Sequence, residues 1–240
     1  MRTYFAIAGV VGFVALAIGC SSSQLSKVRS TLAGKSGTLD TRTVTAGLKE
    51  ALQVGIKRAV NRASSEGAYA DNPELHISLP DELDKMKNAL ETVGLGGQMK
   101  KLENKMNLAA EEAAGQATPV FIDAIKDMSF ADARKILSGK DTAATEYLRK
   151  NTSDKLASLY EPIVQKHLQT VGVMDLYNQL HSRYQSLPLA PSVDFQPSDH
   201  VTTRALDGLF QLLAQEEQKI RAEPAARSTE LLKRVFGSQN

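Results

Sequence analysis

The chain contains no tryptophan, and aromatic residues make up only 5% of it. A carbohydrate-binding groove, which relies on aromatic platforms, is therefore a poor expectation. Cysteine occurs once, at Cys20, which excludes an internal disulfide framework and a thiolate metal site. Excess charge of either sign is also missing, with 29 Lys and Arg against 27 Asp and Glu. That balance leaves no electrostatic footprint for nucleic acid. The longest apolar run, Tyr4 to Ile18, falls short of the roughly 20 residues that a transmembrane helix needs. Catalytic signatures are absent too. The four histidines, His76, His167, His181 and His200, show no metal-ligand spacing, and there is no Gly-x-Ser-x-Gly elbow. No motif calls for a cofactor.

The opening segment is the most specific feature present. Met1-Arg2-Thr3 is a short basic start, Tyr4 to Ile18 is apolar or small, and Leu16-Ala17-Ile18-Gly19 leads directly into Cys20. A basic start, an apolar stretch and small closing residues are the parts of a secretory signal peptide. Ending on cysteine, the segment resembles the bacterial lipoprotein box, although leucine is usual at the position held by Ala17. The resemblance implies lipidation of the Cys20 thiol, cleavage between Gly19 and Cys20, and acylation of the new amino group. Two or more acyl chains anchor stably where one does not. Ser21, rather than aspartate, follows the cysteine, and by resemblance to enterobacterial sorting this implies the outer membrane, facing the periplasm. Residues 1–19 are thus expected as signal peptide, and 20–39 as lipidated cysteine and flexible tether, rich in Ser, Gly and Thr. Gly34-Lys35-Ser36 within the tether is not a phosphate loop, because Arg29 stands where that motif needs glycine.

Residues 40–240 read as one all-α domain of about eight to ten helices. Val44, Leu48, Leu52, Ile56, Ala59 and Ala63 repeat every three or four positions, with Asp40 or Thr41 as the expected cap. Gly55 lies on that apolar face, where it permits close approach of another helix. Ser64 to Pro80 is turn chemistry around one alternating segment, Leu75 to Leu79, with no obvious strand partner. Helices are then expected around Leu83–Val93, Met99–Ala113, Val120–Met128 and, capped by Ser129 with Asp132, up to Gly139. The Met and Ala face of the second of these indicates close packing between helices. Asp141 is expected to cap the next segment, and Thr152 or Ser153 to start a fresh helix that Pro162 kinks and Gly172 ends. Val173 to Tyr184 follows, then an extended crossing from Leu187 to Pro197. A long helix capped by Ser198 or Asp199 carries Val201, Leu209, Leu212 and Ile220. After Pro224, Leu231, Leu232, Val235 and Phe236 are available for docking.

Several of these stretches together resemble a bacterial family known only as domain of unknown function 4197. They are Gly47–Leu52, Phe121–Ile125, Gly139–Thr145, Ala205–Phe210 and Pro224–Arg227, and the resemblance runs from about Leu39 to Gly237. Members commonly begin with a signal or lipoprotein segment. The family brings no established activity, cofactor or catalytic residue.

Two constellations are candidate sites. Asp141, Thr142 and Thr145, with Arg149, place a carboxylate, hydroxyls and a cation at a helix start, whose free N–H groups attract anions. The competing reading makes Asp141 a cap and the threonines turn supports. Glu216 falls inside an apolar stripe, and so does His167 on its own helix. They form a buried polar or ligand-binding pair, or else a hydrogen-bonded core histidine and a glutamate emerging near its helix end. The leading functional expectation is a non-enzymatic periplasm-facing lipoprotein, an interaction or envelope-maintenance module held to the membrane through Cys20. Its partner would be an envelope protein. A binder of a lipid or other apolar ligand between helices comes next, and an enzyme with an unrecognised site third.

Overall fold

The computed structural model describes residues 41–188, 190–223 and 227. These belong to Thr41–Asn240, one of the two compact units into which the chain divides. The expected signal peptide, Cys20, the tether and the apolar residues after Pro224 lie outside the described residues.

Among the described residues there are eight α-helices and no strand. They are α1 (Thr41–Ala63), α2 (Asp84–Thr92), α3 (Gly96–Ala114), α4 (Thr118–Asp127), α5 (Phe130–Leu137), α6 (Ala143–Thr170), α7 (Val173–Gln185) and α8 (Pro197–Ala222). A single 3-10 turn, Asp81–Leu83, leads into α2. No helix among the described residues is long and apolar enough to cross a membrane. The all-α expectation is met.

Helix α8 is the axis of the fold. It packs most extensively on α6 and α1, then on α3. Its buried set runs through Val201, Ala205, Leu206, Leu209, Phe210, Leu212, Leu213 and Ile220. These residues cover well over the usual apolar stripe, as a helix surrounded by others requires. Around it, α1 buries Leu48, Ala51, Leu52, Ile56, Ala59 and Ala63, and α6 buries Leu148, Leu156, Tyr160, Val164 and Leu168. The Met and Ala face of α3 is fully enclosed, with Met99, Met106, Ala109, Ala110, Ala113 and Ala114 all buried. Aromatic packing is sparse, as the composition demands. Phe121 of α4 meets Phe210 of α8 edge to face at 5.7 Å. Tyr69, in the loop after α1, is buried and donates its hydroxyl to the Ala205 carbonyl at 2.7 Å.

Local signals placed most helix ends. Ser129 and Asp132 form the expected capping box on α5. Gly94 and Gly172 adopt positive φ, at 80° and 71°, at the ends of α2 and α6. Three expectations are corrected. Helix α6 does not restart at Thr152 or Ser153 but continues through both and through Pro162. Both hydroxyls fold back onto carbonyls one turn earlier, Thr152 on Leu148 at 2.6 Å and Ser153 on Arg149 at 2.7 Å, so neither opens a helix. Helix α8 is flanked by Gln196, with Pro197 in the first turn, so neither Ser198 nor Asp199 is its cap. Asp141 is not the cap of α6; Thr142 holds that place and makes no side-chain capping bond.

The glycine at the tightest crossing is also not the one expected. A Cβ on Gly55 would meet Ile220 at 3.6 Å, an ordinary contact, whereas one on Gly208 would fall 2.8 Å from the Tyr69 ring. We therefore expect Gly55→Ala to be neutral or stabilising by up to about 1 kcal/mol through helix propensity. Gly208→Ala should cost about 1–3 kcal/mol by displacing Tyr69. Urea denaturation of the two variants checks both signs.

Candidate functional site

The buried charges show which polar groups the fold uses for itself. Glu217 of α8 is 7% exposed. Its carboxylate accepts from the backbone N–H of Ala144 at 3.0 Å and of Thr145 at 2.8 Å, and from the Thr145 hydroxyl at 2.8 Å. Arg221, one turn on, completes the shell at 2.8 Å and also donates to the Ile136 carbonyl at the end of α5. A helix begins with N–H groups that lack partners and with a partial positive charge. Here both are met by a carboxylate from another helix. The anion attraction expected at Asp141–Thr145 is thus satisfied internally. Thr145 faces the core, whereas Asp141 is exposed and Thr142 bonds Glu146 at 3.2 Å. Arg149 pairs with Asp207 at 3.0 Å and lies 4.4 Å from the Phe210 ring, joining α6 to α8.

Glu216 is buried, at 4% exposure, rather than emerging near the end of its helix. It does not pair with His167. Its partners are Arg62 of α1 at 3.0 Å, Lys219 at 3.5 Å and Arg58 at 3.9 Å. His167 lines a different, shallow groove with Glu112, Gln116 and Lys166. The two residues share neither a bond nor a pocket. Projection along one helix gives a face, not the neighbour on that face, and α1 supplies arginines where a histidine was expected.

A third buried carboxylate, Glu111 of α3, accepts from the N–H groups of Gly67, Tyr69 and Ala70 and fastens the loop after α1. The next residues of that loop, 76–80, are in no helix, with Leu75, Ile77 and Leu79 buried and Ser78 exposed, the alternation of an extended chain. Their missing strand partner is a side chain. Asn107 donates to the Ile77 carbonyl at 3.0 Å and accepts from its N–H at 2.8 Å, as a neighbouring strand would.

This extended segment forms one wall of a polar groove of about 680 Å³. The other wall is the extended crossing before α8 and the first turns of that helix. His76, Ser78, Asp81 and Glu82 line one side, and Asp194, Phe195, Asp199, His200 and Arg204 the other. None of the four carboxylates is in an ion pair among the described residues. No three His, Cys, Asp or Glu side chains among the described residues converge to hold a metal ion.

Two histidines fix the loop wall. His76 faces the Ala70 carbonyl through Nδ1 at 3.1 Å and a Glu103 oxygen through Nε2 at 2.6 Å. Both partners only accept, so the geometry fits the protonated ring, which donates from both nitrogens. Burial lowers its pKa, but the Glu103 bond, the Ala70 carbonyl and the Glu103 charge together hold it above the ordinary imidazole value. His200 donates from Nε2 to the Ser78 carbonyl at 2.9 Å. Burial lowers its pKa and Arg204 adds to the shift, against the Ser78 carbonyl and Glu82, which favours the neutral ring. Serine, histidine and aspartate thus share one groove without making a nucleophilic relay. The imidazole nitrogen that faces Ser78 bonds its carbonyl rather than its hydroxyl, and a relay needs the hydroxyl.

Sequence reading did not single out this groove. The alternation from Leu75 to Leu79 and the extended crossing from Leu187 to Pro197 were both legible. Nothing local says that segments more than a hundred positions apart face each other.

Two outcomes follow from this geometry. Glu217→Ala should cost about 3–5 kcal/mol, since it leaves Arg221 and two helix-end N–H groups unmatched. Glu216→Ala should cost about 1–3 kcal/mol, because its arginine and lysine partners reach solvent. Chemical denaturation of each variant against the wild type tests the order. A group whose folded pKa is raised stabilises fully below its unfolded pKa, and the effect is lost as pH rises through the folded value. The stability of the wild type over His76→Gln should therefore be greatest near about pH 5.5 and fall as pH is raised through the elevated His76 pKa. Denaturant melts across a pH series read it, and a difference that grows with pH has the wrong sign.

No curated protein and no solved structure matches the chain. The profile described as "Protein of unknown function (DUF4197)" matches residues 38–237. Spanning the whole helical unit from before α1 to beyond α8, that match makes the chain a member of the DUF4197 family.

Proposed function

We propose that this protein is a non-enzymatic lipoprotein of the bacterial envelope, anchored in the outer membrane by acylated Cys20 and facing the periplasm, where it works as a protein-interaction module. The lipoprotein box supports the anchor. The observation that carries the interaction role is the contrast between core and surface. The apolar gap between α1, α6 and α8 holds only about 20 Å³, roughly one water, while the polar groove before α8 offers about 680 Å³. Pockets for small apolar ligands usually need about 300 Å³ or more. The filled core between α1, α6 and α8 and the buried Met and Ala face of α3 work against a lipid held inside the bundle, and the opening of about 730 Å³ beside Leu95, Leu176 and Leu180 is a surface groove that also carries Gln98, Arg183 and Ser186. The buried carboxylates are engaged in holding helix ends and loops together, and His76 has no ring nitrogen to offer a substrate. What stays open is a recognition surface.

Two measurements test the reading. Cells fed a labelled fatty acid should label the wild type and not Cys20→Ala, and equal labelling of both would remove the anchor. A photo-crosslinking residue placed in intact cells at exposed Ser192, beside the groove, should give a discrete protein adduct. The same residue at exposed Lys155 on α6 should not. Adducts of equal yield from both positions, or none from Ser192, would sink the interaction role.

A further inference from the structure

The groove has a more specific character than a polar opening. Its α8-side wall begins at Asp194 and Phe195, the end of a run whose backbone makes no hydrogen bond to the described residues. Ser192, Val193, Asp194 and Phe195 are in no helix, and none of them makes a backbone hydrogen bond to the described residues. Their side chains nevertheless alternate as in a strand. Phe195 is buried and Val193 partly buried, whereas Ser192 and Asp194 are exposed. Phe195 is held from both sides, its ring 5.5 Å from Tyr177 of α7 and 5.6 Å from His200 of α8. The run is therefore anchored at its buried positions, while its main-chain donors and acceptors have no partner among the described residues.

The opposite wall is built in a related way. Ile77 directs its N–H and carbonyl to Asn107, so Ser78 directs its own to the other side. There the Ser78 carbonyl is taken by His200, and its N–H has no partner among the described residues. An extended chain with open donors and acceptors is a template for another strand. The charge around it is one-sided. Asp81, Glu82, Asp194 and Asp199 line the groove without ion pairs, against Arg204 and His76, which Glu103 already matches.

We infer that the groove lined by residues 76–82 and 194–204 binds an extended polypeptide segment bearing lysine or arginine, which adds as a strand along Asp194–Phe195 and the adjoining Ser192–Val193 and places its cations against Asp194 and Asp199. This inference rests on the interaction role proposed above and names the chemistry of the partner. Main-chain bonds supply the orientation, and alternate side chains of the segment face the carboxylates. Electrostatic complementarity makes binding fast and sensitive to salt.

Selection of a random phage-displayed dodecapeptide library against the full-length chain tests it. The enriched peptides should carry an excess of Lys and Arg. A synthetic copy of the best one should slow hydrogen exchange at the amides of Val193, Asp194 and Phe195, a readout that side-chain attraction alone does not move. Asp194→Asn with Asp199→Asn, both at exposed positions, should leave the circular dichroism unchanged and weaken the peptide at least about tenfold. Selected peptides without basic residues, protection confined to other segments, or full affinity in the double variant would each overturn the inference. So would a selection that enriches nothing. A Ser192 adduct obtained in cells beside a failed peptide selection would leave the interaction role standing and remove only the strand-addition mode.

Discussion

The Glu217 carboxylate is the interaction on which most of the structure depends. It lies on α8, the helix that takes part in the two most extensive packing interfaces, and it holds the first turn of α6, the longest helix described. Three hydrogen bonds to one charged group, each of the stronger charge-assisted kind, fix where α6 begins and how it sits on α8. Arg221 then ties the same carboxylate to the end of α5. One buried acid thus sets the relation of three helices.

The same device recurs across the domain with opposite charge. Lys49 of α1 donates to the Lys126 carbonyl near the end of α4, and Lys105 of α3 to the Val171 carbonyl at the end of α6. Arg227 donates to the Ile220 and Arg221 carbonyls in the last turn of α8. Cations at helix C-termini and an anion at an N-terminus complement the helix dipoles. Most of these groups come from a different helix than the one they close. At these helix ends, closure and packing are consequently the same set of bonds. That arrangement suits a chain poor in aromatics. Small Ala and Met faces bring helices close, and polar clamps supply the directionality that large rings give elsewhere.

Seen this way, the groove follows from the clamps. Glu111 and Asn107 on α3 discharge the polar backbone of the loop after α1, and His76 and His200 pin what remains against α3 and α8. Two extended walls result, held by side chains rather than by a sheet. A sheet would have filled their edges with a neighbouring strand; side-chain partners leave edges open. The openness of the groove and the absence of strands among the described residues therefore have a common origin.

Helix content, most helix boundaries and the position of Glu216 on the apolar stripe of its helix were legible in the sequence alone. Apolar periodicity, the Ser129–Asp132 box and the glycines at 94 and 172 act within a few residues of where they stand. Tertiary structure decided what depended on distant partners. Glu217 meets Ala144 across 73 positions, Arg62 meets Glu216 across 154, and His200 meets Ser78 across 122. Thr152 did not interrupt α6, because a hydroxyl that returns to its own helix leaves no local mark distinguishing it from a cap. Gly208 rather than Gly55 is the tight crossing, because the obstacle is Tyr69, a loop residue that lies on no helix face that periodicity reveals. A sequence states which side chains need a partner; only the folded chain brings the partner within about 3 Å.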